Sequence, residues 1–243
     1  MGSIAVDPSE DELTFLVTGF APFTSRYPVN PAWEIARALP PFLPPPSSTS
    51  SSPSPSAADS QPPVRILVHP EPLKVAYKSV REFIPKLWSD GAKYDFVLHI
   101  GMASGRTYYS AERLAHRDGY VMRDVDGELL RDDEKKGDEF FWHGLPEELY
   151  TLVDLDEVWK NWKASLPALD IRISEDPGRY LCDFIYYSSL AELYRKQEAP
   201  RVLFLHVPVD SDPVAVKTGV DITIELIRAV VRNLKAKQLE KQV

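Results

Sequence analysis

With 243 residues, 44% of them hydrophobic and 26% charged, the chain is long enough to bury a core of its own and has the composition of an ordinary globular protein. A formal charge of −8 argues against non-specific nucleic-acid binding, and a single cysteine excludes an internal disulfide. No apolar run approaches the ~18 residues that span a bilayer. The acidic opening, MGSIAVDPSEDELTFLV, lacks the basic and apolar regions of a targeting signal, so a cytoplasmic protein without membrane contact is expected.

The first apolar run, residues 14–20, reads as a buried strand. A loop leads into NPAWEIARAL, where Asn30 can cap a helix that has Pro31 at its first position. Residues 40–63 are low in complexity, with Pro and Ser at 17 of 24 positions, and are expected to form a disordered surface insertion. The pattern then resumes with a strand over 64–69 and a helix over 74–90 that Pro85 should kink or break. A continuous apolar strand over 94–101 is of the parallel-sheet kind. Residues 102–150 show no clear period. A helix over 153–165, a short strand over 171–174, an aromatic-rich helix over 178–197 and a buried strand over 201–208 follow. The chain closes on an amphipathic helix with a basic end.

Strands and helices alternate, so the expected fold is α/β, a mainly parallel central sheet with helices on both faces. It would form one domain over 12–237, interrupted by the insertion at 40–63, with flexible tails at 1–11 and 238–243. In such sheets, sites gather at the carboxyl ends of the strands. That rule should bring residues 18–20, 99–101, 174–176 and 206–208 to one edge.

Cys182 falls on that edge. A cysteine in a helix is commonly an inert packing residue. Here, however, Asp176-Pro177 reads as a helix start directly after a strand, which places Cys182 in the first turns. The positive end of the helix dipole then favours a reactive thiolate. A nucleophilic thiol needs a base and a group to orient that base. His99 and His206 both end apolar strand runs, and periodicity does not choose between them. His69, His116 and His143 read as surface residues. With 36 acids in the chain, counting selects none; Glu112, in YYSAERLAH, suits a structural salt bridge as well as a catalytic role. Phosphate-loop, zinc, EF-hand and serine-hydrolase signatures do not occur, so no cofactor or metal is expected.

Four stretches in order resemble the pyroglutamyl peptidase I (pyrrolidone-carboxylate peptidase) family. They are GFAPF…VNPAW (Gly19 to Trp33), GMASGRTYYSAERLAH (101–116), SEDPGRYLCDFIYYSSL (174–190) and FLHVP (204–208). The resemblance spans about residues 14–235 and implies a three-layer α/β/α sandwich without a cofactor. Carried over by position, it makes Cys182 the nucleophile, His206 the base and Glu112 the orienting acid, and leaves His99 as a structural strand-end residue. It also implies that Phe20 and Phe23 line an apolar pocket for a lactam ring, with Tyr180 and Leu181 on its wall. The implied partner is a peptide with an N-terminal pyroglutamate; monomer and homo-oligomer stay open.

Three features depart from the family pattern: the 40–63 insertion, Thr24 where a glycine often stands, and Pro177 before the GRYLC run. The role of Arg106, near the active edge, is open. The rival readings are a catalytically weak relative that binds pyroglutamyl or similar cyclic groups, and a cysteine hydrolase of the same fold acting on another small amide.

Overall fold

The computed structural model describes residues 12–46, 63–89, 94–131 and 141–240. Its centre is a six-stranded sheet in the order β2-β1-β3-β8-β4-β7. The strands are β1 (Leu13–Gly19), β2 (Val64–Val68), β3 (Phe96–Met102), β4 (Tyr109–Glu112), β7 (Ile171–Ser174) and β8 (Val202–Val207). A separate two-stranded ribbon joins β5 (Leu114–His116) to β6 (Glu148–Tyr150). Four of the five pairings in the main sheet are parallel; β4 meets β8 antiparallel.

Both faces of the sheet are covered, which explains why its strands are apolar on both sides. On one face lie α1 (Pro31–Arg37), α3 (Leu155–Ser165) and α5 (Pro213–Glu240), packed over Phe15, Val17, Leu98, Ile100, Leu203 and Leu205. On the other lie α2 (Tyr77–Leu87) and α4 (Leu181–Arg195), packed over Leu16, Val97, Val202 and Phe204. The alternation along β8 separates the two cores: Leu203, Leu205 and Val207 face one, whereas Val202, Phe204 and His206 face the other. The result is the expected three-layer α/β/α sandwich with a mainly parallel sheet. Among the described residues, no helix is long and apolar enough to cross a membrane.

Local signals explain several boundaries. Asn30 caps α1, its side chain accepting from the Ala32 N–H. Asp154 does the same for α3 through Asp156 and Glu157. Helix α2 begins three residues later than the apolar pattern predicts, because residues before it are extended; Asp124, distant in sequence, accepts the Tyr77 N–H in place of a local cap. Pro85 lies inside α2 without ending it.

Four expectations require correction. The first is the insertion: its opening residues are ordered, with Leu43 N–H donating to Val64 (2.9 Å) and Ile66 N–H to Pro41 (2.9 Å). They extend the sheet edge at β2; residues 47–62 lie outside the described part. The second is the C-terminal tail, since α5 continues to Glu240. The third is the start of the aromatic-rich helix. Gly178 has φ +84°, a left-handed conformation that ends any helix beginning at Asp176, and Tyr180 is extended. Helix α4 therefore starts at Leu181, and Pro177 belongs to the turn before it. The fourth is the common edge. Because β4 and β7 run against β8, Ser174 sits level with Glu112 and Phe204, two residues below His206, and not beside it.

Candidate active site

Helix α4 brings Cys182 to its second position, on the sheet face that carries His206. The two are linked through Gly101. Gly101 is the β3 partner of His206 on β8, and a Cβ built on it would lie 2.7 Å from Cys182 Sγ and 2.6 Å from Phe204 Cζ. The sulfur thus occupies the space that a side chain at 101 would fill. On the other side of His206, the β4 partner is Ser110. Glu112 is two residues further along β4 and therefore points to the same face.

His206 Nδ1 hydrogen-bonds Glu112 Oε1 at 2.7 Å, both groups buried. Ser110 Oγ also donates to that oxygen (3.2 Å), as does Arg106 Nη1. The Tyr186 hydroxyl on α4 donates to the Glu112 main-chain carbonyl (3.1 Å), tying the helix to the strand. With Nδ1 engaged by the carboxylate, Nε2 is the ring nitrogen left to exchange a proton.

Burial works to raise the Glu112 carboxyl, but the hydrogen bond and charge of His206 and the charge of Arg106 outweigh it, so the acid is held below the ordinary carboxylate range. Burial lowers His206 by more than Glu112 raises it. Burial also pushes the Cys182 thiol well up, assisted by the charges of Glu112 and Asp183. The dipole argument for a thiolate is therefore opposed by desolvation, which favours the neutral form of both the thiol and the imidazole.

A pocket opens beside the sulfur, lined by Phe20, Phe23, Asn30, Val75, Met102, Tyr180, Leu181 and Cys182, with about 260 Å3 of empty space including the part open to solvent. All four sequence-named pocket residues are present. The sequence reading gives Asn30, Val75 and Met102 no pocket role. Met102 follows Gly101 at the end of β3, so the strand-edge rule could have found it. Asn30 was noticed only as a cap; its Oδ1 serves that role while Nδ2 holds the Ala21 carbonyl (3.0 Å), shaping the loop that carries Phe23. Phe23 and Tyr180 approach with ring centroids 6.2 Å apart, and Tyr77 packs edge-on against Tyr180. Thr24 forms a tight turn with Tyr27 outside the pocket lining.

The first N–H groups of α4 point out of the helix without intrahelical acceptors, and no side chain caps them. Among the described residues, no group of three or more His, Cys, Asp or Glu side chains converges as a metal cage.

His99 lies apart from this constellation. It is fully buried, bonded to Thr18 Oγ1 (2.7 Å) and Ser189 Oγ (2.9 Å), and burial lowers it to about 3. It sits mid-strand in β3 and ties three elements together. His116, expected at the surface, is instead half-buried and paired with the buried Asp183 at 3.0 Å.

The family model described as pyroglutamyl peptidase matches residues 59–238. The chain belongs to the pyroglutamyl peptidase family. It is 27% identical over 219 residues to human pyroglutamyl-peptidase 1, covering 90% of this chain and 88% of that relative. It is likewise 27% identical over 206 residues to the pyrrolidone-carboxylate peptidase of Pyrococcus furiosus, covering 84% and 85%. Among solved structures, pyroglutamyl peptidase I of Bacillus amyloliquefaciens superposes with a TM-score of 0.66 at 20% identity, covering 90% of this chain and 97% of that one. The pyrrolidone carboxyl peptidase of Thermococcus litoralis gives 0.67 at 17% identity, covering 93% and 96%. These structural likenesses bear on the fold.

Proposed function

We propose that this protein is a cysteine-type omega-peptidase that hydrolyses the amide bond after an N-terminal pyroglutamate, with Cys182 as nucleophile, His206 as base and Glu112 as orienting acid. The observation that carries the reading is the opening of a small, largely apolar pocket directly onto Cys182, with a His206–Glu112 pair on the same sheet face. Pyroglutamate is a neutral five-membered lactam, which such a pocket accepts. A free amino terminus would bring an ammonium into it without a counter-charge, which is costly.

The reaction follows from the arrangement. Cys182 Sγ attacks the carbonyl carbon of pyroglutamate while its proton passes to His206 Nε2. Glu112 holds Nδ1–H and stabilises the imidazolium. The oxyanion is met by N–H groups of the first turn of α4. His206 then returns the proton to the leaving amine, the C–N bond breaks, and a thioester remains on Cys182. Water, deprotonated by His206, adds to the thioester and releases pyroglutamate and the free thiol. Lone-thiol chemistry of this kind suits the reducing cytoplasm.

Turnover of a pyroglutamyl-arylamide by the wild type and by Cys182→Ala tests the reading. The wild type should release the arylamine and the folded variant should not. A folded wild type without turnover would leave a binding protein; a preference for prolyl or glutaminyl arylamides would leave a different amidase.

A further inference from the structure

Arg106 sits in the connection between β3 and β4, outside the pocket lining and outside the three groups assigned above. Its guanidinium is mostly buried, with 18% of the side chain exposed. One nitrogen, Nη1, donates to Glu112 Oε1 and to Ser110 Oγ. The other, Nη2, donates to the Asp176 main-chain carbonyl at 2.6 Å. Asp176 begins the turn that passes through Pro177 and Gly178 into α4. One planar cation therefore touches the acid on β4 and the loop that delivers the nucleophile.

We propose that Arg106 is a positioning residue that locks the Glu112 carboxylate to the entry turn of the nucleophile helix and keeps that carboxylate ionised. The proposal rests on the catalytic roles assigned to Glu112, His206 and Cys182. Two observations separate it from an ordinary salt bridge. First, Arg106 and His206 share one carboxylate oxygen, Oε1, while the buried Oε2 has no hydrogen-bond partner. The cation and the imidazole thus divide the same negative charge. Second, the bridge needs two donors in a fixed fork, which a guanidinium supplies and an ammonium does not.

The charged and titratable groups around His206 are Glu112 on β4, Arg106 on the β3–β4 connection, Asp176 on the turn before α4 and Cys182 on α4. β3 contributes the uncharged Gly101. The active free enzyme requires Glu112 ionised and His206 neutral. The Arg106 charge lowers both groups. Removing it raises both, so the acid limb of kcat/KM must move to higher pH.

The test compares Arg106→Met and Arg106→Lys with wild type in kcat, KM and the pH profile of kcat/KM, with melting temperature as the control for folding. Arg106→Met should lower kcat on the order of 10²-fold, as a misplaced catalytic group does, leave KM nearly unchanged and move the acid limb alkaline. Arg106→Lys keeps a cation beside Glu112 but cannot bridge, so kcat should fall while the limb stays. An unmoved limb in a folded Arg106→Met would overturn the electrostatic half. Wild-type kcat in either variant would overturn the bridge. If Arg106→Met does not fold, the kcat of Arg106→Lys still decides the bridge. The pH dependence of Cys182 alkylation by iodoacetamide, compared between Arg106→Lys and Arg106→Gln, then decides the charge: the Gln variant should require higher pH, and an identical profile would overturn it. Alkylation involves no peptide, so its outcome stands even if the wild type fails to turn over pyroglutamyl substrates.

Discussion

Replacing Gly101 with alanine should press directly on the Cys182 sulfur. The new Cβ would lie 2.6 Å from Phe204 Cζ and 2.7 Å from Cys182 Sγ. Non-bonded carbons settle at about 3.5–4.0 Å, so each neighbour must retreat by about 1 Å or share the displacement. Phe204 is fully buried against Tyr186 and His206, with ring centroids at 6.0 and 4.7 Å. It has little room to move, which leaves the sulfur to give way. Overpacking of this kind costs about 1–3 kcal/mol, or roughly 3–10 °C in melting temperature for a chain of this length. Moving a nucleophile by about 1 Å costs on the order of 10²-fold in rate. Steady-state kinetics and calorimetry on Gly101→Ala read both effects. Adding Cys182→Ala relieves the contact with sulfur but not the one with Phe204, so the double variant should recover part of the lost stability. Wild-type kcat/KM and melting temperature in Gly101→Ala would refute the claim that the sulfur occupies the glycine's side-chain space.

His206→Ala should nearly abolish turnover with modest loss of stability, whereas His99→Ala should act on stability, since it removes the imidazole partner of Thr18 in the core and leaves Ser189 with Trp88 alone; kinetics and thermal melts on both variants check the ranking. His99 also gives a pH prediction. Its folded value of about 3 lies below the unfolded 6.5, so the unfolded state binds the proton first, and this group costs stability as pH falls from 6.5 towards 3. The cost is about 2 kcal/mol at pH 5, so melting temperature should fall between pH 7 and 5 less steeply in a folded His99→Gln than in wild type; equal slopes would refute it. Deleting residues 42–46 should lower the melting temperature, because it removes the Leu43–Val64 bond and the Pro44 carbonyl that accepts from the buried Arg228 at 2.7 Å; an unchanged melting curve would show that the edge pairing is dispensable.

The sequence made the sandwich legible because β1, β3 and β8 are buried on both faces and read as continuous apolar runs. β4 was not legible, for an instructive reason. Its Ser110 and Glu112 face the interior, where His206 and Arg106 satisfy them, so the strand looks like a polar loop. The irregularity of the pattern was the site itself. The strand-edge rule placed Cys182 and His206 near the right level, but it put His99, which lies mid-strand opposite Phe204, too close to the edge, and it assumed strands running one way and so misplaced 174–176. Periodicity could not separate His99 from His206, since the two lie on the same face of adjacent strands; only their neighbours differ, Ser189 for one and Glu112 for the other. The start of α4 was misread because Asp-Pro is a common opening for a helix, and Gly178 cancels it three residues before the true start.

The reversal of β4 has a consequence for how this protein can vary. Glu112 and His206 are diagonal neighbours on one main-chain ladder, Ser110 opposite His206 and Glu112 opposite Phe204. Their separation is therefore set by peptide hydrogen bonds, which are the same whatever side chains flank them. Loops can lengthen, the segment after α1 among them, without any lever on that spacing. A slip of one residue between β4 and β8, by contrast, would turn Glu112 towards the opposite core. Variation is free along the connections and forbidden in the register.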